Sequence, residues 1–307
     1  MDKLEFHSQI IEKHEDFDLL AFEGKLSKAN FFYGREYRPR KKPQATLLYL
    51  HDLGDHVGRQ NDFFKAFVSS YKRSVQVLMY DYRGHGKSSG NRGHIESIDD
   101  LCFDGIQLLE HFKEDIGSRP VYILCSGIGS LVALKTLSEF FSRLSVKVSG
   151  LILLNPSFKW RGALPQFRDL IFSKGSFLGK VKVPFYLEGS DISSDPLLAQ
   201  EFDRDPLVNH RFSWNTFWEF KRNSSLLRTS AYYLNIPIFI GISRRDKVYD
   251  YKITELFSRA INDSTIQFYE VSDHDLLHSH ITSDLIRDVS QWLDLKFSSL
   301  KKAKKSD

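Results

Sequence analysis

The sequence contains few of the features that mark a secreted, membrane-spanning or disordered protein. Only two of its 307 residues are cysteines, Cys102 and Cys125, so it has no disulfide framework, and this favours a reducing compartment. No run approaches the roughly 18 apolar residues of a membrane span, and the N-terminus lacks an apolar signal-peptide core. Charged residues make up 27% and apolar residues 41%, an ordinary globular balance. We therefore expect a soluble, cytoplasmic protein.

The small positive charge does not indicate a nucleic-acid partner. The net charge is +4, and residues 296–307, with five lysines and one aspartate, account for all of it. The rest of the chain is close to neutral, so a basic nucleic-acid footprint is not predicted. Residues 299–307 are predicted to form a flexible basic tail. A weak electrostatic contact of this tail with an anionic membrane is the alternative.

Buried strands and helical segments alternate along most of the chain. Short continuous apolar runs such as 46–50, 75–80 and 149–155 are typical of strands buried on both faces, and the first two are each followed by a helical pattern. This alternation predicts an α/β fold with a mostly parallel sheet flanked by helices. It stops at 157 and resumes at 236.

The interruption predicts an inserted cap within a single α/β core. The expected organisation is 1–156 for the first part of the core, 157–235 for the cap, 236–298 for the second part and 299–307 for the tail. The insertion is rich in large aromatic side chains, which are Trp160, Phe172, Phe185, Phe202, Trp214, Phe217 and Trp218. We expect several of them to line an apolar cleft above the core.

The most informative stretch follows the strand predicted before residue 126. There an apolar run gives way to small residues and then to a helical pattern, in the order Cys125-Ser126-Gly127-Ile128-Gly129. A strand, a sharp turn and a helix form the nucleophile elbow of hydrolases, whose G-x-S-x-G motif presents a serine above the sheet. Aligned without a gap, Gly127 stands at the position of that serine. The frame of a serine hydrolase is present, and its nucleophile is absent.

Other motifs make the chain resemble the monoacylglycerol lipase and lysophospholipase group of α/β-hydrolases, with a serine aminopeptidase S33-type domain. The resemblance covers almost everything from residue 23 to the last helix. It rests on residues 51–59 (HDLGDHVGR), 80–90 (YDYRGHGKSSG) and 91–95 (NRGHI), with Ser194-Asp195-Pro196 and Asp205-Pro206-Leu207-Val208 in the insertion. The resemblance implies the α/β-hydrolase fold with a cap, and a lipid-like acyl ester as substrate.

The resemblance also implies roles for particular residues. Asp246 occupies the position of the catalytic acid and His274 that of the base, each after a predicted strand. The oxyanion donors are the backbone N–H groups of Leu53 and Ile128. Asp273 and Asp275 are expected to face solvent, although either could compete as the acid that orients His274. No cofactor and no metal site are expected, because the sequence has neither clustered ligands nor a phosphate-binding glycine loop.

Departures from the family pattern concentrate around the elbow. Besides Gly127, Cys125 and Ser130 replace glycines, Ser126 stands where histidine is usual, and Asp52 replaces a glycine beside an oxyanion donor. The first hypothesis is therefore a lipase-like protein that is inactive, or nearly so, and acts by binding.

Two alternatives remain open at this point. In the first, the protein is an active carboxylic-ester hydrolase, either because Gly127 records an introduced Ser→Gly change or because Ser126 is the nucleophile. Ser126 is a poor candidate, since a shift of one residue on a tight turn points the side chain elsewhere. Cys125 is expected to be a buried strand residue rather than a reactive thiolate. In the second, the cap aromatics serve a protein-interaction module.

Overall fold

A computed structural model describes residues 5–25, 30–161, 177–183, 186–230, 234–271 and 273–306. Phe172 and Phe185, two of the expected cleft aromatics, lie outside these ranges. The described residues form one nine-stranded sheet, in the order β1-β2-β3-β5-β4-β6-β7-β8-β9. Its strands are β1 (Glu5–Lys13), β2 (Phe17–Lys25), β3 (Phe31–Pro39), β4 (Ala45–Leu50), β5 (Val75–Tyr80), β6 (Val121–Ser126), β7 (Val148–Leu154), β8 (Ile238–Ser243) and β9 (Ser264–Tyr269).

The sheet combines an antiparallel edge with a parallel body, and the predicted α/β class is confirmed. Strands β1, β2 and β3 pair antiparallel, and β3 pairs antiparallel with β5. All pairings from β5 through β4, β6, β7 and β8 to β9 are parallel. Every residue of β4, β5 and β8 is buried, which explains why these strands are continuously apolar rather than alternating.

The helices cover the sheet, and their starts are readable in the sequence. They are α1 (Asn61–Ser70), α2 (Ile98–Ile116), α3 (Gly129–Glu139), α4 (Gly189–Ile192), α5 (Pro196–Arg204), α6 (Trp214–Ser230), α7 (Tyr251–Ser258) and α8 (Thr282–Ser306). Ser97, Asp195 and Asp250 cap α2, α5 and α7 by accepting hydrogen bonds from first-turn N–H groups. Within the described ranges, no helix is long and apolar enough to cross a membrane.

Helix α8 extends further than the sequence pattern predicted. It continues to Ser306 and so includes most of the residues expected to form a flexible tail. Residues 299–306 contain leucine, alanine and lysine but neither glycine nor proline, so a helix already started can propagate through them.

Helices α4, α5 and α6 lie between β7 and β8 in the chain, in the interval that lacked strand-helix alternation. Loops at the carboxyl ends of the parallel strands carry the residues singled out above: Leu53 follows β4, Gly127 follows β6, Asp246 follows β8 and His274 follows β9. Since ligands bind at this end of open parallel sheets, the candidate site is placed there by topology.

Candidate active site

The elbow keeps its backbone shape around a glycine. Strand β6 ends at Ser126 and helix α3 begins at Gly129, which leaves Gly127 alone at the turn with a φ of +46°. Its N–H donates to the Leu154 carbonyl at 3.1 Å, and its carbonyl accepts from the Ser130 N–H at 3.0 Å. Glycine adopts this left-handed conformation without the steric cost that a side chain brings.

Asp246 and His274 lie together in the buried loops. The Nδ1 atom of His274 is 3.0 Å from each carboxylate oxygen of Asp246. Asp246 also accepts from the N–H of Val248 at 2.7 Å, which orients its carboxylate. The loops are tied to each other by Asn155, whose side chain donates to the His274 carbonyl and accepts from the Ser243 N–H, both at 2.7 Å. Sequence reasoning did not single out Asn155.

The neighbours of His274 do not face solvent as expected, and that prediction was wrong. Asp273 is fully buried and accepts from the Ser194 N–H at 2.6 Å. Asp275 accepts from the Gln60 side-chain amide at 3.0 Å and forms an ion pair with Arg59 at 3.4 Å. Both carboxylates are directed into neighbouring segments, whereas the His274 ring is hydrogen-bonded to Asp246 and Asp52.

Asp52 is the residue whose role the sequence did not reveal. Its Oδ1 atom accepts hydrogen bonds from the N–H groups of Leu53 at 2.6 Å and of Ile128 at 2.7 Å. The same oxygen accepts from the Tyr249 hydroxyl at 3.2 Å. Its Oδ2 atom is 2.6 Å from Nε2 of His274. The two N–H groups assigned to an oxyanion hole therefore do converge on one oxygen, and that oxygen belongs to the protein itself.

The same carboxylate occupies the space of the missing side chain. A Cβ atom built on Gly127 would lie 1.8 Å from Oδ1, 1.9 Å from Cγ and 2.1 Å from Oδ2 of Asp52. Distances this short are impossible between non-bonded atoms. Asp52 and a side chain at residue 127 therefore exclude each other in this conformation. The signal available in the sequence was the exchange of glycine for aspartate beside an oxyanion donor, together with the glycine at 127.

The two carboxylates beside His274 favour its protonated form. Both ring nitrogens face carboxylate oxygens, so both act as donors. Burial by itself lowers the pKa of His274, but the charges of Asp246 and Asp52 and their hydrogen bonds outweigh it and raise the pKa well above its usual value. A general base must present a free lone pair to the hydroxyl that it deprotonates. Neither nitrogen of this imidazolium has one.

The alternative nucleophiles are not activated. Ser126 Oγ accepts from the Tyr49 hydroxyl at 3.4 Å, while the nearby ring nitrogen of His274 is already bound to Asp52. Cys125 is fully buried in β6, as expected, and burial raises the pKa of its thiol. No group of three or more His, Cys, Asp or Glu is arranged to hold a metal ion in the part of the chain that is described.

The cavity beside His274 is small. It measures about 20 Å³ and is lined by Asp52, Leu53, Asp55, Ser126, Ile192, Phe202, His274 and Asp275. This volume is sufficient for about one water molecule. Beside His274, the described residues therefore leave a small cavity rather than a wide apolar cleft.

Aromatic packing fills much of the neighbouring space. Of the expected cleft aromatics, Phe202 lines the cavity. Trp160 instead packs against Phe217, Phe220 and Tyr249, with ring centroids 5.8, 6.1 and 5.4 Å away. Tyr249 also contacts the His274 ring, at 5.0 Å. Because these side chains pack against one another, they form part of the core beside the site.

Comparison with known proteins agrees with this fold. The family profile described as "Serine aminopeptidase, S33" matches residues 41–280. Human monoglyceride lipase is 23% identical over 275 residues, covering 86% of each chain. A soluble variant of the monoglyceride lipase of Saccharomyces cerevisiae, solved with a substrate analog, has a TM-score of 0.73 at 17% identity and covers 89% of this chain and 94% of its own.

An uncharacterized abhydrolase domain-containing protein of Dictyostelium discoideum is 24% identical over 272 residues, and the chain spans only 28% of its length.

Fold and site together define an α/β-hydrolase of the monoglyceride lipase-like group. The chain belongs to the serine aminopeptidase S33 family.

Proposed function

We propose that this protein is a non-hydrolytic member of its family, in which the carboxylate of Asp52 takes the place of both nucleophile and substrate oxyanion. The observation that carries the proposal is the set of contacts made by Asp52, which joins Leu53, Ile128 and His274 through its two oxygens. In this arrangement Asp246, His274, Leu53 and Ile128 keep the positions of catalytic groups without a catalytic task.

Acyl transfer by a serine hydrolase requires a nucleophile, a base and an oxyanion hole. Gly127 provides no hydroxyl. Both ring nitrogens of His274 face carboxylates, which raise its pKa and leave no lone pair directed at a substrate hydroxyl. The N–H groups of Leu53 and Ile128 already donate to Asp52. Each of the three requirements is thus unmet for a separate physical reason.

The ligand class is inferred from the relatives. Several of the similar proteins are monoglyceride lipases, which supports a lipid-like acyl ester as the ligand to which this fold is adapted. Access of such a ligand to His274 requires the Asp52 side chain to move, because the cavity beside it holds only about one water. An acyl ester therefore does not fit beside His274 while Asp52 keeps this conformation.

The active alternative rests on Ser126 or on a serine at 127. Ser126 lacks a free base, and a serine at 127 collides with Asp52, so no structural observation favours turnover.

Cellular location is a further part of the proposal. Two free, buried cysteines support a cytoplasmic location. The lysine-rich C-terminal residues support at most a weak electrostatic contact with anionic membranes.

The test is an esterase assay of the unmodified protein with short-chain and long-chain acyl esters, together with labelling by a fluorophosphonate. We expect neither turnover nor labelling. In serine proteases, binding and the oxyanion donors alone retain about 10³–10⁴-fold over water, and here the donors are occupied as well. Robust turnover that is lost in Ser126→Ala would refute the proposal and identify Ser126 as the nucleophile.

A further inference from the structure

The donors around Asp52 form a binding site for one carboxylate. Oδ1 receives three donors, from Leu53, Ile128 and Tyr249, and Oδ2 receives Nε2 of His274. Two of the donors are backbone N–H groups, one of them immediately before α3, where the helix dipole favours an anion. The fourth donor is charged. Four donors therefore converge on two oxygen positions, and two of the donors, the Ile128 N–H and the His274 ring, favour a negative charge. This arrangement fits the two oxygens of a carboxylate group.

The segment that carries Asp52 is itself fixed in place. The ring of His51, which is fully buried, donates through Nδ1 to the Asp52 carbonyl at 2.7 Å and accepts from the Tyr82 N–H at 3.0 Å. The Asp52 carbonyl also accepts from the Asp55 N–H at 3.2 Å. These bonds hold the backbone on which the Asp52 side chain turns back towards the elbow. Because this backbone is already fixed, the Asp52 carboxylate binds the four donors without the entropy cost of ordering its loop.

We propose that this cradle is a carboxylate-binding site, that Asp52 is its ligand in cis, and that removal of the Asp52 side chain opens the site to small monocarboxylates. The inference rests on the proposed function, because an active enzyme needs the same donors for its transition state. The side chain of aspartate is a CH₂–COO⁻ group, which is acetate less one hydrogen. Asp52→Gly therefore leaves a space of about the size of acetate, which would bind slightly displaced from the Asp52 position because its methyl group needs about 3.5–4.0 Å from Cα. Asp52→Ala keeps Cβ and leaves the space of formate.

The experiment measures the urea midpoint of each variant against acetate or formate concentration, at ionic strength held constant with chloride. A ligand that binds only the folded state at 100 times its Kd raises the folded-to-unfolded ratio about 100-fold, or about 2.7 kcal/mol. We expect a saturable rise for Asp52→Gly with acetate exceeding formate, and for Asp52→Ala with formate exceeding acetate. The unmodified protein should show no carboxylate-specific rise, because its site is filled.

Two variants serve as controls. Asp52→Leu fills the space with an apolar group of similar shape and should not respond to either anion. Adding His274→Gln to Asp52→Gly removes the charged donor and should weaken acetate binding, measured by calorimetry, about tenfold or more. If a variant is unfolded without a ligand, the recovery of folded protein on adding acetate or formate becomes the readout.

Several outcomes would overturn the inference: no saturable effect in either variant, an equal effect of chloride, or the same response in Asp52→Leu. This test is independent of ester turnover. If no variant binds a carboxylate, this inference fails, but the proposal that the protein does not hydrolyse esters is unaffected. If the unmodified protein hydrolyses esters, the proposed function fails, and that result does not depend on any measurement of carboxylate binding.

Discussion

A serine introduced at residue 127 should fail to restore catalysis unless Asp52 is removed at the same time. In the Asp52 background the new Cβ atom would lie 1.8 Å from a carboxylate oxygen. Gly127→Ser must therefore expel a buried, hydrogen-bonded carboxylate, which costs about 3–5 kcal/mol, and must also place a side chain in the left-handed region, which costs about 1–2 kcal/mol. We expect a total loss of roughly 4–7 kcal/mol in the free energy of unfolding.

The double variant Asp52→Gly, Gly127→Ser should be much less destabilised than the sum of its parts. Asp52→Gly alone gives up the same contacts, about 3–5 kcal/mol, and the added serine then brings only the backbone term of about 1–2 kcal/mol. The two changes should show a coupling energy of about 3–5 kcal/mol in urea unfolding. In the double variant the oxyanion donors are free and His274 loses one of its carboxylates, so fluorophosphonate labelling and measurable ester turnover should appear.

A second glycine provides the matched control. Gly117 also has a positive φ, +56°, but a Cβ there would meet nothing closer than the Glu114 carbonyl at 3.9 Å. With a ψ of −127°, Gly117 lies in a region that side chains rarely adopt, so Gly117→Ser should show only a backbone cost, of roughly 1–3 kcal/mol. Additive stabilities for Asp52 and Gly127, or labelling of Gly127→Ser as strong as that of the double variant, would show that Asp52 does not occupy the nucleophile's space.

Three further outcomes follow from the site. Because the pKa of His274 is raised in the folded state, its stabilising contribution should be complete below the ordinary histidine pKa of about 6.5 and be lost as pH rises through the folded value. The difference in unfolding free energy between the unmodified protein and His274→Gln should therefore shrink as pH rises. A difference that stays constant with pH would contradict the ion pair. Tyr249→Phe removes one donor to Asp52 and should cost about 0.5–1.5 kcal/mol in urea unfolding. The Tyr82 hydroxyl has no hydrogen-bond partner among the described residues, so Tyr82→Phe should be neutral or stabilising. Equal losses in the two variants would argue against a specific hydrogen bond from Tyr249. The thiols of Cys102 and Cys125 should resist iodoacetamide in the folded protein, since burial raises both pKa values, that of Cys102 to about 12; fast alkylation before unfolding would contradict their burial.

The sequence by itself determined the fold class and the positions of the candidate groups. Continuous apolar runs identified β4 and β5 as buried strands, and the change from strand to helix pattern located the elbow at Gly127. Asp246 and His274 were assigned by resemblance to the family, and the assignment was supported because each follows a strand of a parallel sheet, whose strands end at one edge. These features are local in the chain, so residue order is enough to find them.

Only the tertiary structure decided what those groups do to one another. Asp52 meets Ile128 across 76 positions of the chain, Tyr249 across 197 and His274 across 222. Whether its carboxylate turns to solvent or into the elbow depends on side-chain direction in segments that meet only after folding. The same reason explains why Asp273 and Asp275 were wrongly expected to face solvent, and why Trp160 and Phe217 pack together instead of lining a cleft. Local pattern specifies where a loop begins and ends, but contacts between loops specify which of its atoms are free to react.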